Sequence, residues 1–115
     1  METKLEVSVI SPVFNERENL KTFVDAVAEV MRSTGMSWEL IIVDDGSDDG
    51  SAEAIKELIN QENISCLLLS KNYGQTTAIQ AGFDNAEGKY LVTLDSDMQN
   101  DPKDIPALLN KLIKE

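Results

Sequence analysis

The sequence predicts a three-layer α/β/α fold in which a doubly wound, mostly parallel sheet lies between helices. Four short apolar runs alternate with four segments whose apolar residues recur at helical spacing. The runs are apolar along their length rather than in alternation, which is typical of parallel strands buried on both faces. Right-handed crossovers through the helices give the strand order 3-2-1-4. The 115 residues suffice for one hydrophobic core, so we expect a single domain over residues 1–115.

The first strand is predicted over Leu5–Ser11 (LEVSVIS), because the stretch is rich in β-branched residues and Pro12 disfavours its continuation. A helix follows, and its expected end is Gly35. Asn15 and Glu18 have the spacing of a capping box at its start. The apolar residues that define this helix are Leu20, Phe23, Val24, Val27, Val30 and Met31.

The second strand is predicted over Glu39–Val43 (ELIIV) and delivers Asp44 and Asp45 to its carboxyl end, before the turn-rich stretch DDGSDDGS. The third and fourth strands are predicted over Ile64–Leu69 and Tyr90–Leu94. Each of these strands is followed by a helix. The apolar residues that define the three helices are Ile55, Leu58 and Ile59, then Ala78, Ile79, Gly82, Phe83 and Ala86, and finally Ile105, Leu108, Leu109, Leu112 and Ile113.

The composition excludes several classes of partner. With 21 acidic and 10 basic residues, a net charge of −11, the chain has no basic stripe that could neutralise nucleic acid or an anionic membrane. No apolar stretch approaches the roughly 20 residues of a membrane span, and METKLEV lacks the hydrophobic region of a signal peptide. We therefore expect a cytoplasmic location or one at the cytoplasmic face of a membrane. Cys66, in an apolar run, is interpreted as a buried structural thiol.

Acidic residues follow two of the predicted strands. The carboxyl ends of strands one, two and four carry Pro12 to Glu16, Asp44 with Asp45, and Asp95-Ser96-Asp97, and these ends should converge on one crevice. Such a carboxylate cluster is destabilising unless a cation or a hydrogen-bonding ligand compensates it. The chain has no histidine, and oxygen ligands favour Mg²⁺ or Mn²⁺ over zinc. The pattern predicts a nucleoside diphosphate compound bound with its metal.

Single aspartates carry less information, because Asp is common in turns and helix caps. We keep that interpretation for Asp49, Asp84 and Asp104. Other nucleotide sites are disfavoured. The loop SPVFNERENL lacks the glycines of a dinucleotide-binding turn or of a sugar-activating nucleotidyltransferase, and no P-loop motif occurs.

Four segments, SVISPVFNERENL, IIVDDGSDDGS, SKNYGQTTAIQAGFDNA and TLDSDMQ, together resemble an inverting glycosyltransferase of family 2 with the GT-A fold. The resemblance covers nearly the whole chain. The D-x-D-x-Q and N-Y-G-Q segments are similar to those of polyprenyl-phosphate sugar transferases, including the dolichyl-phosphate mannose synthase branch. The resemblance implies metal-dependent transfer of a sugar from a UDP- or GDP-linked donor to a polyprenyl-phosphate or glycan acceptor.

The resemblance also implies roles for individual residues. Asp45, with Asp44 beside it, would contact the base or ribose, and Lys71 would lie near the diphosphate. The residues expected to shape the nucleoside pocket are Pro12, Val13, Asn15 and Glu16. Those expected at the metal and sugar-diphosphate site are Asp95, Asp97 and Gln99, with Ser96 against the ribose. Asp95 and Asp97 would act in catalysis through the metal, which stabilises the leaving diphosphate during displacement at the anomeric carbon.

The family's GT-A domain is longer than this chain. We therefore expect the acceptor site, the catalytic base and any membrane anchor to lie outside it, and the chain alone to bind nucleotide weakly without transferring sugar. Apolar surface left uncovered at an open sheet edge predicts self-association into a homo-oligomer. The alternative function is a non-catalytic nucleotide-binding or receiver-like module. A receiver, however, carries its acidic pair after the first strand, whereas here the pair follows the second.

Overall fold

The computed structural model describes residues 5–58, 63–94 and 102–114. One sheet has the order 3-2-1-4, and each neighbouring pair in it is parallel. Its strands are β1 (Val7–Val13), β2 (Trp38–Asp44), β3 (Ile64–Leu68) and β4 (Tyr90–Thr93). The helices are α1 (Leu20–Thr34), α2 (Ser51–Leu58), α3 (Gln75–Asn85) and α4 (Ile105–Lys114), the last preceded by a 3-10 turn at Pro102–Asp104. The predicted fold class and strand order are confirmed.

Helices cover both faces of the sheet. The larger core lies beneath α1, α2 and α4, and it buries Phe23, Leu40 and Ile105 completely. Helix α3 covers the opposite face, where a side chain on Gly82 would collide with that of Ile10. A glycine here allows α3 to lie close to β1. The buried residues of this second core are Ile10, Ile41, Val43 and Ala78.

Strand β1 runs two residues beyond its predicted end, through Pro12 to Val13. The carbonyl of Ile10 accepts the N–H of Leu94 on the β4 side, whereas that of Val13 accepts the N–H of Asp45 on the β2 side. By alternation the nitrogen of Pro12 points towards β4, beyond Ile10, which is the last residue paired with β4 among the residues that the structure describes. The prediction was wrong because proline interrupts a strand only where its missing N–H would have been needed.

Helix α1 begins at Leu20, so the predicted capping box at Asn15 and Glu18 is wrong. Asn15 has a left-handed backbone, with φ 53°, and lies in the loop before the helix. A turn in which the carbonyl of Glu16 accepts the N–H groups of Asn19 and Leu20 leads into α1 instead. The far end agrees with prediction, since Gly35 terminates α1 in the left-handed conformation.

A polar cluster fixes β4 beside β1. The hydroxyl of Ser8, fully buried, donates to the carboxylate of Glu39 and accepts the N–H of Gly88 at 2.8 Å. The same carboxylate accepts the N–H of Glu87 at 2.9 Å. A Cβ on Gly88 would come within 2.5 Å of the Ser8 nitrogen. This close approach sets where β4 delivers the chain to the carboxyl edge of the sheet.

Apolar side chains remain exposed at both edge strands of the described sheet. Leu68 on β3 and Leu91 on β4 are each about half exposed. These side chains agree with the expected uncovered surface, and self-association stays a prediction. Within the described ranges, no helix has the length and apolar character needed to cross a bilayer. Ile59, which we placed on the second helix, lies outside the described residues.

Candidate functional site

Three strands end at one level of the sheet. Val13 of β1 is paired with Asp44 of β2, which is paired in turn with Leu68 of β3. The loops that follow therefore start side by side at the carboxyl edge. We call them the β1 loop (residues 14–19), the β2 loop (residues 45–50) and the β3 loop (residues 69–74). The predicted convergence is confirmed for the first two, and the β3 loop joins them.

The fourth strand reaches the same edge. Leu94, buried, donates its N–H to the carbonyl of Ile10 at 3.0 Å. The described part of this strand therefore ends beside β1 at the carboxyl edge. The predicted metal and ribose residues on the segment after Leu94 lie outside the described residues. They are Asp95, Ser96, Asp97 and Gln99.

Asn15 joins the β1 loop to the β2 loop. Its N–H donates to the Ser47 hydroxyl at 2.9 Å, and its side-chain oxygen accepts the N–H of Asp48 at 3.0 Å. The N–H of Arg17 donates to the Asp49 carboxylate at 3.2 Å. Asparagine tolerates the left-handed backbone that this arrangement uses. The residue predicted to shape a pocket is thus a connector between loops.

Asp44 stabilises the turn DDGS through hydrogen bonds between its carboxylate and Ser47. Its side chain is only 3% exposed, and its carboxylate accepts the hydroxyl of Ser47 and, at 3.3 Å, the N–H of Ser47. Because that hydroxyl donates to Asp44, its lone pair is available to the N–H of Asn15. Asp44 therefore orients the hydroxyl on which the two loops meet.

Asp45 joins the β2 loop to the β3 loop. Its side chain is 4% exposed, and its two carboxylate oxygens accept the N–H groups of Tyr73 at 2.8 Å and of Gly74 at 2.9 Å. Gly74 is the N-cap of α3, so a buried negative charge lies at the positive end of this helix. Charge-assisted bonds of this kind are stronger than neutral ones. Asp45 thus caps α3 from a different loop.

The β2 and β3 loops also touch through their backbones at Gly46. Its φ is 74°, and an added Cβ would come within 2.6 Å of the Asn72 nitrogen and closer still to the backbone of Lys71. Only glycine combines this conformation with such proximity. In the sequence Gly46 is one residue of the turn-rich stretch DDGSDDGS, and nothing local indicates its contact with residues that lie 25 and 26 positions further along the chain.

Two exposed aromatic side chains lie on these loops, and sequence reasoning missed both. Phe14 in the β1 loop is 44% exposed and Tyr73 in the β3 loop is 48% exposed. The Lys71 ammonium lies 5.3 Å from the centroid of the Tyr73 ring, and the Tyr73 and Ser70 hydroxyls are 3.2 Å apart. Lys71, predicted to lie near a diphosphate, is thus an exposed residue of the β3 loop. The sequence signal that could have identified both is their position within the motif segments, Phe14 in SVISPVFNERENL and Tyr73 in SKNYGQTTAIQAGFDNA.

The other residues predicted to shape the nucleoside pocket, Pro12, Val13 and Glu16, differ in which of their groups are exposed at the carboxyl edge. The Val13 side chain is fully buried in the larger core, so this residue reaches the edge only with the carbonyl that accepts Asp45. Pro12 is partly exposed within β1. The Glu16 carboxylate accepts the side-chain amide of Asn19 at 3.1 Å. Glu16 and Asn15 also line an open hollow of about 360 Å³ between the β1 and β2 loops.

The described carboxylates form no metal centre. In the part of the chain that the structure describes, no three side chains of the ligating types are placed to hold an ion. The negative charges of Asp44 and Asp45 are stabilised by hydrogen bonds from N–H and hydroxyl groups of the chain itself. The sequence had predicted that a cation or a ligand would stabilise them. The predicted metal site therefore depends on Asp95, Asp97 and Gln99.

Cys66 packs against the larger core and is half-buried rather than fully buried. Burial, and then the nearby Asp44 charge, raise the pKa of its thiol from 9.0 to about 11. At pH 8 the thiolate is therefore about one hundredth as abundant as in an exposed thiol. We expect iodoacetamide to alkylate Cys66 about 100-fold more slowly in the folded than in the denatured protein. Equal rates at pH 8 would contradict this pKa.

Comparison with known proteins gives a family match and close relatives. A family model described as glycosyl transferase family 2 matches residues 8–115. Dodecaprenyl-phosphate galacturonate synthase from Rhizobium johnstonii is 43% identical over 110 residues, which are 94% of this chain and 32% of that protein. Undecaprenyl-phosphate 4-deoxy-4-formamido-L-arabinose transferase from Pectobacterium atrosepticum is 46% identical over 105 residues, 90% of this chain and 32% of that protein.

Two solved structures with bound nucleotide sugars share the fold. The mannosyltransferase PcManGT from Pyrobaculum calidifontis, in complex with GDP-Man and Mn²⁺, aligns with a TM-score of 0.80 at 22% identity over 98% of this chain. S. aureus TarS 1-349 in complex with UDP-GlcNAc aligns with a TM-score of 0.75 at 22% identity over 96% of this chain. The chain spans about a third of the length of each of these proteins.

Proposed function

Since this chain belongs to glycosyl transferase family 2, we propose that the full-length protein transfers a sugar from a nucleoside diphosphate to a polyprenyl phosphate. The relatives from Rhizobium and Pectobacterium are named for transfers to dodecaprenyl and undecaprenyl phosphate. The observation that carries the proposal is the family match over residues 8–115, whose first two motif segments meet at the carboxyl edge of the sheet. Family membership disfavours the receiver-like alternative.

The described loops contribute the nucleoside half of the donor site. Asn15 and Asp45 hold the β1, β2 and β3 loops together without a ligand, so binding does not have to order them. Each carboxylate oxygen of Asp45 keeps a second lone pair, which can accept a ribose hydroxyl or a base N–H. The exposed ring of Phe14 offers a stacking surface at the rim of this site.

The diphosphate belongs at the segment after β4. Three aspartates at positions 45, 48 and 49, together with Asp44 at the end of β2, make the β2 loop unfavourable for a phosphate group. Mg²⁺ or Mn²⁺ held by Asp95 and Asp97, with Gln99 beside them, would supply the positive charge that stabilises the leaving diphosphate. Ser96 would face the ribose, and Lys71 would add a second positive charge from the β3 loop.

The acceptor half of the reaction lies outside this chain. A polyprenyl phosphate resides in a bilayer, so the full-length protein would act at the cytoplasmic face of a membrane. The acceptor phosphate is either deprotonated by a base or bound already ionised. In either case, the residues responsible would come from the remaining part of the protein. This chain alone would therefore bind donor without completing transfer.

The direct test is sugar transfer by the full-length protein. Purified protein is incubated with undecaprenyl phosphate, Mn²⁺ and labelled UDP- or GDP-sugars, and the label extracted with the lipid is counted. We expect lipid-linked sugar from at least one donor, and none when a chelator replaces Mn²⁺. Asp84→Asn, on the surface of α3, is the control and should leave the rate within about twofold. Failure of every donor with protein that is folded would contradict the proposed function.

A further inference from the structure

We propose that Tyr73 forms a wall of the donor site and stacks on the nucleobase. The inference rests on the proposed function and deepens it, because it adds a residue that contacts the ligand and names the part of the donor contacted. Tyr73 lies in the β3 loop, immediately before the N-cap of α3. Its side chain is 48% exposed, although tyrosine is a large aromatic residue.

Three contacts hold the backbone and the exposed ring of Tyr73 before any ligand binds. The buried Asp45 carboxylate accepts the Tyr73 N–H at 2.8 Å. The Ser70 hydroxyl lies 3.2 Å from the Tyr73 hydroxyl, and the Lys71 ammonium lies 5.3 Å from the ring centroid. An aromatic residue held in this way loses little conformational entropy when it contacts a ligand. The arrangement is that of a preorganised platform.

A second exposed aromatic residue, Phe14, lies on a neighbouring loop at the same edge of the sheet. Val13 is paired with Asp44, so Phe14 follows at the level of Asp45, and Asp45 binds the Tyr73 backbone. The two exposed aromatic residues therefore lie on the loops that flank the end of β2.

Charge favours the base over the phosphates as the group bound there. Asp45 and the acidic β2 loop adjoin Tyr73 and disfavour a phosphate on its ring, whereas the contact proposed for Lys71 with the diphosphate is made by the ammonium 5.3 Å from the ring centroid. Lys71 covers one face of the ring, so we assign the other face to the base. Base–aromatic stacking is sequence-tolerant, because every base has a π-face. Tyr73 therefore raises affinity for uracil and guanine nucleotides alike.

The test is calorimetric titration of the full-length protein with UDP, GDP and inorganic pyrophosphate in Mn²⁺. We expect Tyr73→Ala to weaken UDP and GDP binding about 5- to 150-fold and to leave pyrophosphate binding unchanged. The substitution keeps the backbone N–H that Asp45 accepts, and a thermal melt confirms that the variant folds. Tyr73→Phe keeps the ring and should bind within about twofold of wild type.

Phe83→Ala provides the matched control, since it removes another exposed aromatic side chain from the distal half of α3. It should bind all probes as wild type does. The assignment to the base would be overturned if Tyr73→Ala bound UDP and GDP as tightly as the wild type does. It would also be overturned if the substitution weakened pyrophosphate binding as much as nucleotide binding. Absence of nucleotide binding by the wild type would instead overturn the proposed function, and this inference with it.

Discussion

Replacing Asp45 by Asn should lower the free energy of unfolding of the ligand-free protein by about 2 to 3 kcal/mol. The carboxylate accepts the N–H groups of Tyr73 and Gly74 with its two oxygens, whereas an amide offers only one oxygen. One buried N–H would then face the NH₂ group and remain unpaired. Urea denaturation of the full-length protein measures the loss. Amide hydrogen exchange should accelerate at Tyr73 and Gly74.

Asp48→Asn is the matched control, because it makes the same change of charge in the same loop on an exposed side chain. It should change the free energy of unfolding by less than about 0.5 kcal/mol. Equal stability of Asp45→Asn and Asp48→Asn without ligand would show that Asp45 does not hold the β3 loop. The contrast also separates the two roles of Asp45, since a residue that only contacts the nucleoside would matter only when nucleotide is bound.

The second large effect is expected at Asp97. If Asp97 is the metal ligand that we propose, Asp97→Asn should lower the rate of sugar transfer by about 100-fold or more, because the ion that would stabilise the leaving diphosphate loses a charged ligand. Asp104→Asn, which removes an exposed carboxylate seven positions further along the chain, should retain the wild-type rate. The transfer assay with labelled donor measures both. Loss of activity in the two variants alike would point to net charge rather than to a metal ligand.

The fold was predictable because its determinants are local. Continuous apolar runs such as ELIIV indicate strands buried on both faces, and helical spacing marks each crossover. The strand order then follows from the handedness of these crossovers. Gly35 ends α1 as predicted, since a left-handed C-cap depends only on neighbouring residues.

The errors occurred where a residue acts across the fold. Asn15 and Glu18 have capping-box spacing, yet the side chain of Asn15 bonds to a loop 33 positions away. Pro12 lies within a strand because its nitrogen points beyond the last β4 pairing of the described residues. Asp44 and Asp45 were correctly placed at the edge. Their partners could not be inferred, because nothing local shows which N–H groups the fold brings to them.

The most direct test of a donor bound with its metal at this edge is calorimetric titration of UDP and GDP into the full-length protein. Each nucleotide is titrated in Mn²⁺ and again in chelator, for the wild type and for Asp97→Asn. We predict that Mn²⁺ strengthens wild-type binding of at least one nucleotide about tenfold or more, corresponding to about 1.4 kcal/mol, and that Asp97→Asn removes this gain while binding in chelator stays unchanged. Wild-type binding that Mn²⁺ does not strengthen, or an Asp97→Asn variant equally impaired in chelator, would contradict the account.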